Sequence, residues 1–309
     1  MRGSPGLPLL FAGLVLFSMP VVGMYTLFDG FDLGHDLEHD AALAEYWRGH
    51  EEFDAGHHLA AIPHYEVWRQ YLRQRGSDDS EVTGSIAGCL WRGGRHDEAL
   101  REFDASLARN PRWYVCVEKA HCLAQQDPAA ALDWLRSQPL PPEVRSRAVA
   151  DFHRQRGNYA AAIAALEDQL RQLDAASHFD AEGHLRGFGL PLPTERHNQL
   201  ASLIEPFEHL AECRFRNGEI DRAEAAARRG LAASQRMLES KGYYEPEQER
   251  AGSVPCRLLL ARIAMERRAW PLAAEHARLA QLLADRGSYT PHQDAARAVV
   301  AEVAQRQGR

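Results

Sequence analysis

Pairs of small residues twelve positions apart recur along this sequence, and they constrain its fold more than any other feature. In the clearest copy the pair is Ala87 and Ala99, and Gly94 follows the first of them by seven residues. Four further pairs have the same spacing: Gly49 and Ala61, Ala150 and Ala162, Ala211 and Ala223, and Ala261 and Ala273. Recurrence of this kind indicates structural units that stack on one another.

The spacing predicts a helical hairpin in each copy. The first small residue lets helix A approach helix B closely, and a glycine about seven residues later ends helix A in a left-handed conformation. Pro111 follows the clearest copy, as prolines commonly follow a helix C-terminus. Because one hairpin cannot bury its own apolar face, the copies are expected to stack.

The clearest copy resembles a tetratricopeptide (TPR) repeat. The residues that match the family pattern are Ala87, Leu90, Gly94, Ala99, Phe103 and Pro111. The resemblance extends over roughly residues 42–285 and implies an all-α, TPR-like solenoid of about six hairpins, with an amphipathic capping helix over 291–307. A weaker copy lies between Trp113 and Gln138, where Gln125-Gln126-Asp127-Pro128 replaces the glycine turn. The large aromatic residue of the family's helix A is mostly missing and the spacing varies, so we expect an irregular superhelix.

An apolar stretch without charged residues covers residues 7–28. As a helix it would measure about 33 Å, enough to cross a hydrocarbon core of about 30 Å. Arg2 precedes it and acidic residues follow it, which predicts an N-in, C-out orientation. An uncleaved anchor is favoured over a cleaved signal peptide with a site at Val21-Val22-Gly23. In both cases the rest of the chain is expected in the periplasm, either held at the bacterial inner membrane or released.

Five segments are predicted from these features. They are the membrane segment or signal peptide (1–28), an acidic, His-containing linker (29–41), TPR-like repeats one to four (42–173), a Gly/Pro/His-containing insertion loop (174–198), and repeats five and six with the capping helix (199–309). A long loop inside a solenoid is usually functional or disordered. The insertion is predicted to fold back on the solenoid or, alternatively, to bind a partner.

Charge and cysteine content exclude several classes of protein. The chain has 36 Lys+Arg against 43 Asp+Glu, a net charge of -7, which argues against nucleic acid as the main partner. Lys119 and Lys241 are the only lysines, and this bias toward Arg is typical of a GC-rich genome and favours a bacterial source. The five cysteines form no C-x-x-C pair, and we expect most of them to be small buried groups in helix packing.

No constellation of residues predicts catalysis. The sequence has neither a G-x-S-x-G nucleophile elbow nor a glycine-rich phosphate loop, so we expect no enzyme activity and no cofactor. His35 and His39 are four residues apart among carboxylates and could share a metal ion, but the spacing fixes no third ligand. A solvated linker is therefore favoured, and a metal-linked accessory protein remains an alternative.

Protein binding is the favoured function. In TPR-like solenoids the concave groove is lined by positions two, five, nine and twelve of helix A. In the register set by the glycine turns, the candidate partner-binding residues are Tyr46, His50, Phe53, Trp91, Arg147, Asp151, Arg154, Glu208, Glu212, Phe215 and Arg262. Aromatic side chains mixed with both charges suit an extended peptide or a partner helix. The resemblance implies an interaction scaffold or assembly factor, and the N-terminal apolar stretch predicts its place in the cell envelope. The alternative is an external accessory subunit docked on a membrane complex through the N-terminal helix.

Overall fold

The computed structural model describes residues 37–179, 194–241, 253–285 and 290–307. Within these ranges the chain forms thirteen α-helices and one short 3₁₀ helix, which confirms the predicted all-α class. The chain divides into two compact units, Met1–Gly93 and Gly94–Arg309.

The described part of the first unit contains three helices. They are α1 (Leu37–Asp54), α2 (His58–Gln74) and α3 (Ser80–Arg92). Helix α2 packs against both α1 and α3. The aromatic ring of Tyr65 on α2 is almost fully buried and fills the space above Gly49 of α1.

The second unit continues the succession of helices. Its elements are α4 (His96–Arg109), α5 (Trp113–Leu123), α6 (Pro128–Ser137), α7 (Pro142–Gln155), α8 (Tyr159–Gln172), a 3₁₀ helix (Ala175–His178), α9 (Thr194–Arg216), α10 (Ile220–Lys241), α11 (Val254–Glu266), α12 (Trp270–Ala284) and α13 (Thr290–Gln307). Consecutive helices pack in pairs, and α5 with α7, α9 with α11, and α11 with α13 also touch across the pairs. This pattern of neighbour contacts is that of stacked helical hairpins.

The turns that close the hairpins share one hydrogen-bond pattern. Gly56, Gly157 and Gly218 follow α1, α7 and α9 with φ angles of 82°, 72° and 80°. Each donates its N–H to the carbonyl three residues back, and the next residue donates to the carbonyl five residues back. This is the Schellman ending of a helix, which satisfies carbonyls that the helix leaves open. After α11 the same two hydrogen bonds form at Arg268, which adopts a φ of 58°.

The small residues that define the repeat are all buried. Ala61, Ala87, Ala99, Ala162, Ala211, Ala223, Ala261 and Ala273 are each fully inaccessible to solvent, and Gly49 and Ala150 are nearly so. At Gly49 an added Cβ would lie 2.8 Å from the ring of Tyr65. In the α1–α2 hairpin, the first small residue of the pair therefore lies where the two helices approach closely.

The weaker third copy closes differently. Asp127 precedes α6, and its carboxylate accepts hydrogen bonds from the backbone N–H groups of Ala129 and Ala130 at 2.9 and 3.1 Å. Pro128 occupies the first turn, where no N–H partner is needed. A capped N-terminus thus replaces the left-handed residue that closes the turns after α1, α7, α9 and α11.

Two helices begin inside segments that the sequence predicts as a linker and a loop. Helix α1 begins at Leu37, inside the predicted linker 29–41, and α9 begins at Thr194, inside the predicted loop 174–198. Glu195 is a residue type that favours the first turn of a helix. Residues 180–193 lie outside the described ranges, as does the predicted membrane segment 7–28.

Among the described residues, no helix is both long enough and apolar enough to cross a membrane. The five cysteines are buried, as the sequence predicts. Burial raises the pKa of the Cys116 and Cys213 thiols to about 11 and that of Cys256 to about 12. These side chains therefore behave as small, neutral packing groups.

Candidate partner-binding surfaces

Predicted groove residues of α1 and α3 form an aromatic surface in the first unit. We define it as Tyr46, Trp47, His50, Phe53 and Trp91. The rings of Tyr46 and His50 meet edge to face with centroids 4.6 Å apart, and Trp47 lies 5.5 Å from Tyr46 and 5.6 Å from His50. Trp47 is 58% exposed, whereas the other four members are partly buried.

Arg92 connects the two ends of this aromatic surface. Its guanidinium carbon lies 4.9 Å from the ring centroid of Phe53 on α1 and 4.9 Å from that of Trp91 on α3. A guanidinium stacked on aromatic rings keeps its charge and its hydrogen-bond donors. The structure therefore brings two predicted residues, Phe53 and Trp91, together around a cation that the prediction did not include.

Burial governs the electrostatics of this surface, and Glu81 on α3 makes a smaller contribution. Burial raises the pKa of Tyr46, and the nearby Glu81 carboxylate raises it further. Burial lowers the pKa of His50, against the smaller opposing effects of Asp54 and Glu81. Tyr46 and His50 are therefore held as neutral hydrogen-bonding rings at neutral pH.

In the second unit the predicted residues of α7 belong to a charged network. We define it as Arg147, Asp151 and Arg154 on α7 with Glu205 and His209 on α9. Arg147 donates a hydrogen bond to Glu205, and its guanidinium carbon lies 3.9 Å from the ring centroid of Trp113 on α5. Arg154 pairs with Asp151 at 2.7 Å. The network thus links the first helices of three successive hairpins.

His209 lies among these charges. Burial lowers its pKa, Arg154 and Arg147 lower it further, and Asp151 and Glu205 oppose that effect. A neutral imidazole among two cations and two anions leaves the network with balanced charge. Such a surface resists a partner with a large net charge of either sign.

The other predicted residues of the second unit have separate environments. Glu208 accepts a hydrogen bond from the Ser253 hydroxyl, and burial raises its pKa. Glu212 pairs with Arg216 at 2.8 Å. Phe215 packs against the apolar core of α8–α11, and Arg262 lies half-buried on α11. Phe215 therefore contributes to packing as well as to the candidate surface.

Three residues of these surfaces were missed by the sequence analysis. Glu205 occupies position two of helix A in the fifth copy, so the register already used would have identified it. Trp47 and His209 occupy position six, which the TPR resemblance does not assign to the groove. Trp47 meets Tyr46 and His50 within α1, whereas His209 on α9 joins the predicted residues because α7 brings Asp151 and Arg154 close to it.

The metal alternative involves one described histidine. His39 lies on α1 with its ring 5.6 Å from that of Trp68 and 5.7 Å from that of Tyr71. In the described ranges, no group of three or more His, Cys, Asp or Glu side chains is arranged to hold a metal ion. His35, the other half of the predicted pair, lies outside those ranges.

Neither a scan against protein-family models nor a search of the curated proteins found a match. Among solved structures, the chain is similar to the C-terminal part of a TPR repeat-containing protein from Cytophaga hutchinsonii. That similarity has 11% identity and a TM-score of 0.32, over 84% of this chain and 95% of the other. A structure of Naa15/Naa10 bound to HypK-THB is similar at 12% identity and a TM-score of 0.31, over 84% of this chain and 39% of the other. The turns and the buried small-residue pairs are those of stacked helical hairpins.

Proposed function

We propose that this protein is a non-catalytic interaction scaffold or assembly factor of the bacterial cell envelope that binds a partner peptide or helix. The observation that carries the proposal is the aromatic surface, above all Trp47, whose side chain is 58% exposed. Tyr and Trp are the residue types that most often dominate protein–protein binding energy. Their exposure on the first helix of a repeat supports a partner that covers them.

The composition of the aromatic surface suits a site that anchors a partner side chain. Trp47 offers a large apolar area with the rings of Tyr46 and His50 beside it, and Arg92 supplies hydrogen-bond donors at the Phe53–Trp91 end of the same surface. A partner segment with an apolar side chain at one end and a carboxylate at the other would bury the ring of Trp47 and pair with Arg92. This combination is the usual composition of an energetic centre with a polar rim.

The charged network would add specificity rather than affinity. Arg147 and Glu205 already bond to each other, so a partner gains little by replacing either charge. A wrong partner with unmatched charges would bind more weakly, because the balanced fixed charges of the network could not compensate them.

The envelope location rests on the uncharged stretch 7–28 and the charges around it. We expect a C-terminal epitope tag to resist protease in intact bacterial cells and to be cleaved once the outer membrane is permeabilised. A tag that stays protected until the inner membrane is broken would contradict the proposed orientation.

The binding proposal is tested by replacing Trp47 with alanine in the tagged full chain. Partners recovered from gently solubilised membranes are quantified by mass spectrometry. We expect Trp47→Ala to reduce recovery of the specific partners at least tenfold, as hot-spot truncation does. Leu272→Ala on α12 is the matched control, because Leu272 is also an exposed apolar side chain, at 40%.

Equal recovery with wild type, Trp47→Ala and Leu272→Ala would contradict the aromatic surface as the binding site. Circular dichroism of each variant shows whether helicity is retained, so that a loss of binding is not confused with a loss of fold.

A further inference from the structure

A pocket of about 370 Å³ lies in the second unit between α8, the 3₁₀ helix, α9 and α10. None of the predicted groove residues lines it. Its apolar wall includes Phe179 and Phe207, whose rings meet edge to face with centroids 5.4 Å apart. Leu170 and Leu210 extend this wall.

The charged lining of the pocket is predominantly basic. Arg171, Arg214 and Arg229 face one lining carboxylate, Glu167. Arg214 donates to Glu167 at 2.6 Å, which neutralises that carboxylate, and Arg171 pairs with Asp168 at 3.0 Å.

Arg229 is the cation left for a ligand. Its guanidinium carbon lies 5.8 Å from the ring centroid of Phe179, and it has no carboxylate partner among the described residues. A partly buried guanidinium beside an aromatic wall favours a carboxylate that arrives together with apolar surface. The pocket therefore suits a ligand that carries a carboxylate next to an apolar group.

We propose that this pocket binds an acidic peptide segment of a partner protein. An aromatic or aliphatic side chain of the segment packs on Phe179 and Phe207, and a neighbouring Asp or Glu pairs with Arg229. The volume is near the lower end of ligand pockets, about 300–1,000 Å³, and so suits one or two side chains.

A second pocket, of about 360 Å³, lies between α6, α7 and α8 and is also partly basic, with Arg136, Arg145 and His153. It is lined by Ala161, Ala164 and Ala165 and has no aromatic wall other than His153. It therefore offers an apolar side chain less contact than the first pocket does.

The proposal goes beyond the aromatic surface of the first unit, and the two sites are separable by mutation. The probes are two fluorescein-labelled decapeptides of Gly and Ser, one with a central Glu-Phe-Asp and one with Lys-Phe-Lys. Fluorescence anisotropy measures their binding to the full chain at low and high salt. We expect the acidic peptide to bind at least tenfold more tightly, with affinity falling as salt rises.

Arg229→Glu should weaken the acidic peptide at least tenfold, while Arg229→Lys should weaken it less. Arg297→Glu on α13 is the matched control, because it makes the same charge change at an exposed arginine of another helix. Trp47→Ala, which removes the anchor of the aromatic surface, should leave peptide affinity unchanged.

The proposal is overturned if both peptides bind equally, if neither binds, or if Arg229→Glu behaves like Arg297→Glu. If dodecanoate binds in an Arg229-dependent manner but does not displace the acidic peptide, or if it binds in this manner while neither peptide binds, the proposal is also overturned, in favour of an aliphatic carboxylate.

Discussion

Arg268 is an arginine at a position where the other hairpins have glycine. It follows Ala261 by seven residues, as Gly157 follows Ala150 and Gly218 follows Ala211. In the folded state its φ of 58° costs a residue with a Cβ about 1–2 kcal/mol, and glycine would remove this cost. The larger conformational entropy of glycine in the unfolded state offsets part of that gain. We expect Arg268→Gly to raise the free energy of unfolding by about 0.5–1 kcal/mol, measured by urea denaturation.

Gly218→Ala is the reciprocal control. Gly218 has a φ of 80°, and an added Cβ would meet no atom within 4 Å, so only backbone strain changes. We expect a loss of about 1 kcal/mol. If Arg268→Gly destabilises the chain while Gly218→Ala is neutral, then the left-handed turns do not carry the strain assigned to them.

His276 gives the chain a predictable acid sensitivity. It is 6% exposed, and its Nδ1 lies 2.9 Å from a guanidinium nitrogen of Arg257, which donates. Since Arg has no acceptor, Nδ1 has no proton in this contact. Burial, followed by Arg257 and Arg228, lowers the pKa of His276 to about 4.

The unfolded chain therefore binds more protons than the folded chain between pH about 6.5 and about 4. The contribution of neutral His276 to the free energy of unfolding is fully present above pH 6.5. It falls by on the order of 1–3 kcal/mol as the pH decreases toward 4. His276→Asn keeps an acceptor without the titration. We expect the difference in unfolding free energy between wild type and this variant to decline over that pH range, and a constant difference would refute the assignment.

At the scale of the element, the contact between α1 and α2 depends on Gly49. An alanine there would place its Cβ 2.8 Å from the Tyr65 ring, which is itself 1% exposed and has little room to move. We expect Gly49→Ala to lower the free energy of unfolding by about 1–3 kcal/mol, the usual cost of overpacking, measured by urea denaturation.

Tyr65→Leu provides the partner mutation for a double-mutant cycle. The smaller side chain leaves space for the new methyl group, so the double variant should lose less stability than the sum of the two single variants. Strict additivity would show that the close approach of Gly49 and Tyr65 is not what limits the substitution.

The hairpins could be predicted from the sequence because the residues that form them are local. A small residue, a glycine seven positions later and a second small residue after twelve determine where helix A ends and where helix B touches it. Arg268 shows that spacing, rather than residue type, marks the turn. Arg92 and His209 could not be assigned to the surfaces, because their roles depend on which neighbouring helices approach them.

At the scale of the whole molecule, we expect the free energy of unfolding to be a sum of local contributions rather than the property of one cooperative unit. In the described ranges, helices of the second unit touch their neighbours along the chain or the next helix but one, and those of the first unit touch their immediate neighbours. Where helices touch only near neighbours, stability is a sum of local terms and nearest-neighbour contacts, so local opening remains local. A perturbation in one hairpin should therefore weaken with distance along the chain.

Gly49→Ala allows a direct measurement of this behaviour by native-state hydrogen exchange with mass spectrometry. We expect exchange to accelerate in peptides from α1 and α2 and to stay at the wild-type rate in peptides from α11, α12 and α13. Leu272→Ala, an exposed substitution on α12, is the control for nonspecific effects of mutation. Equal acceleration in every helix would mean that the chain opens as one cooperative unit, because only global unfolding couples α1 to α13 in that way.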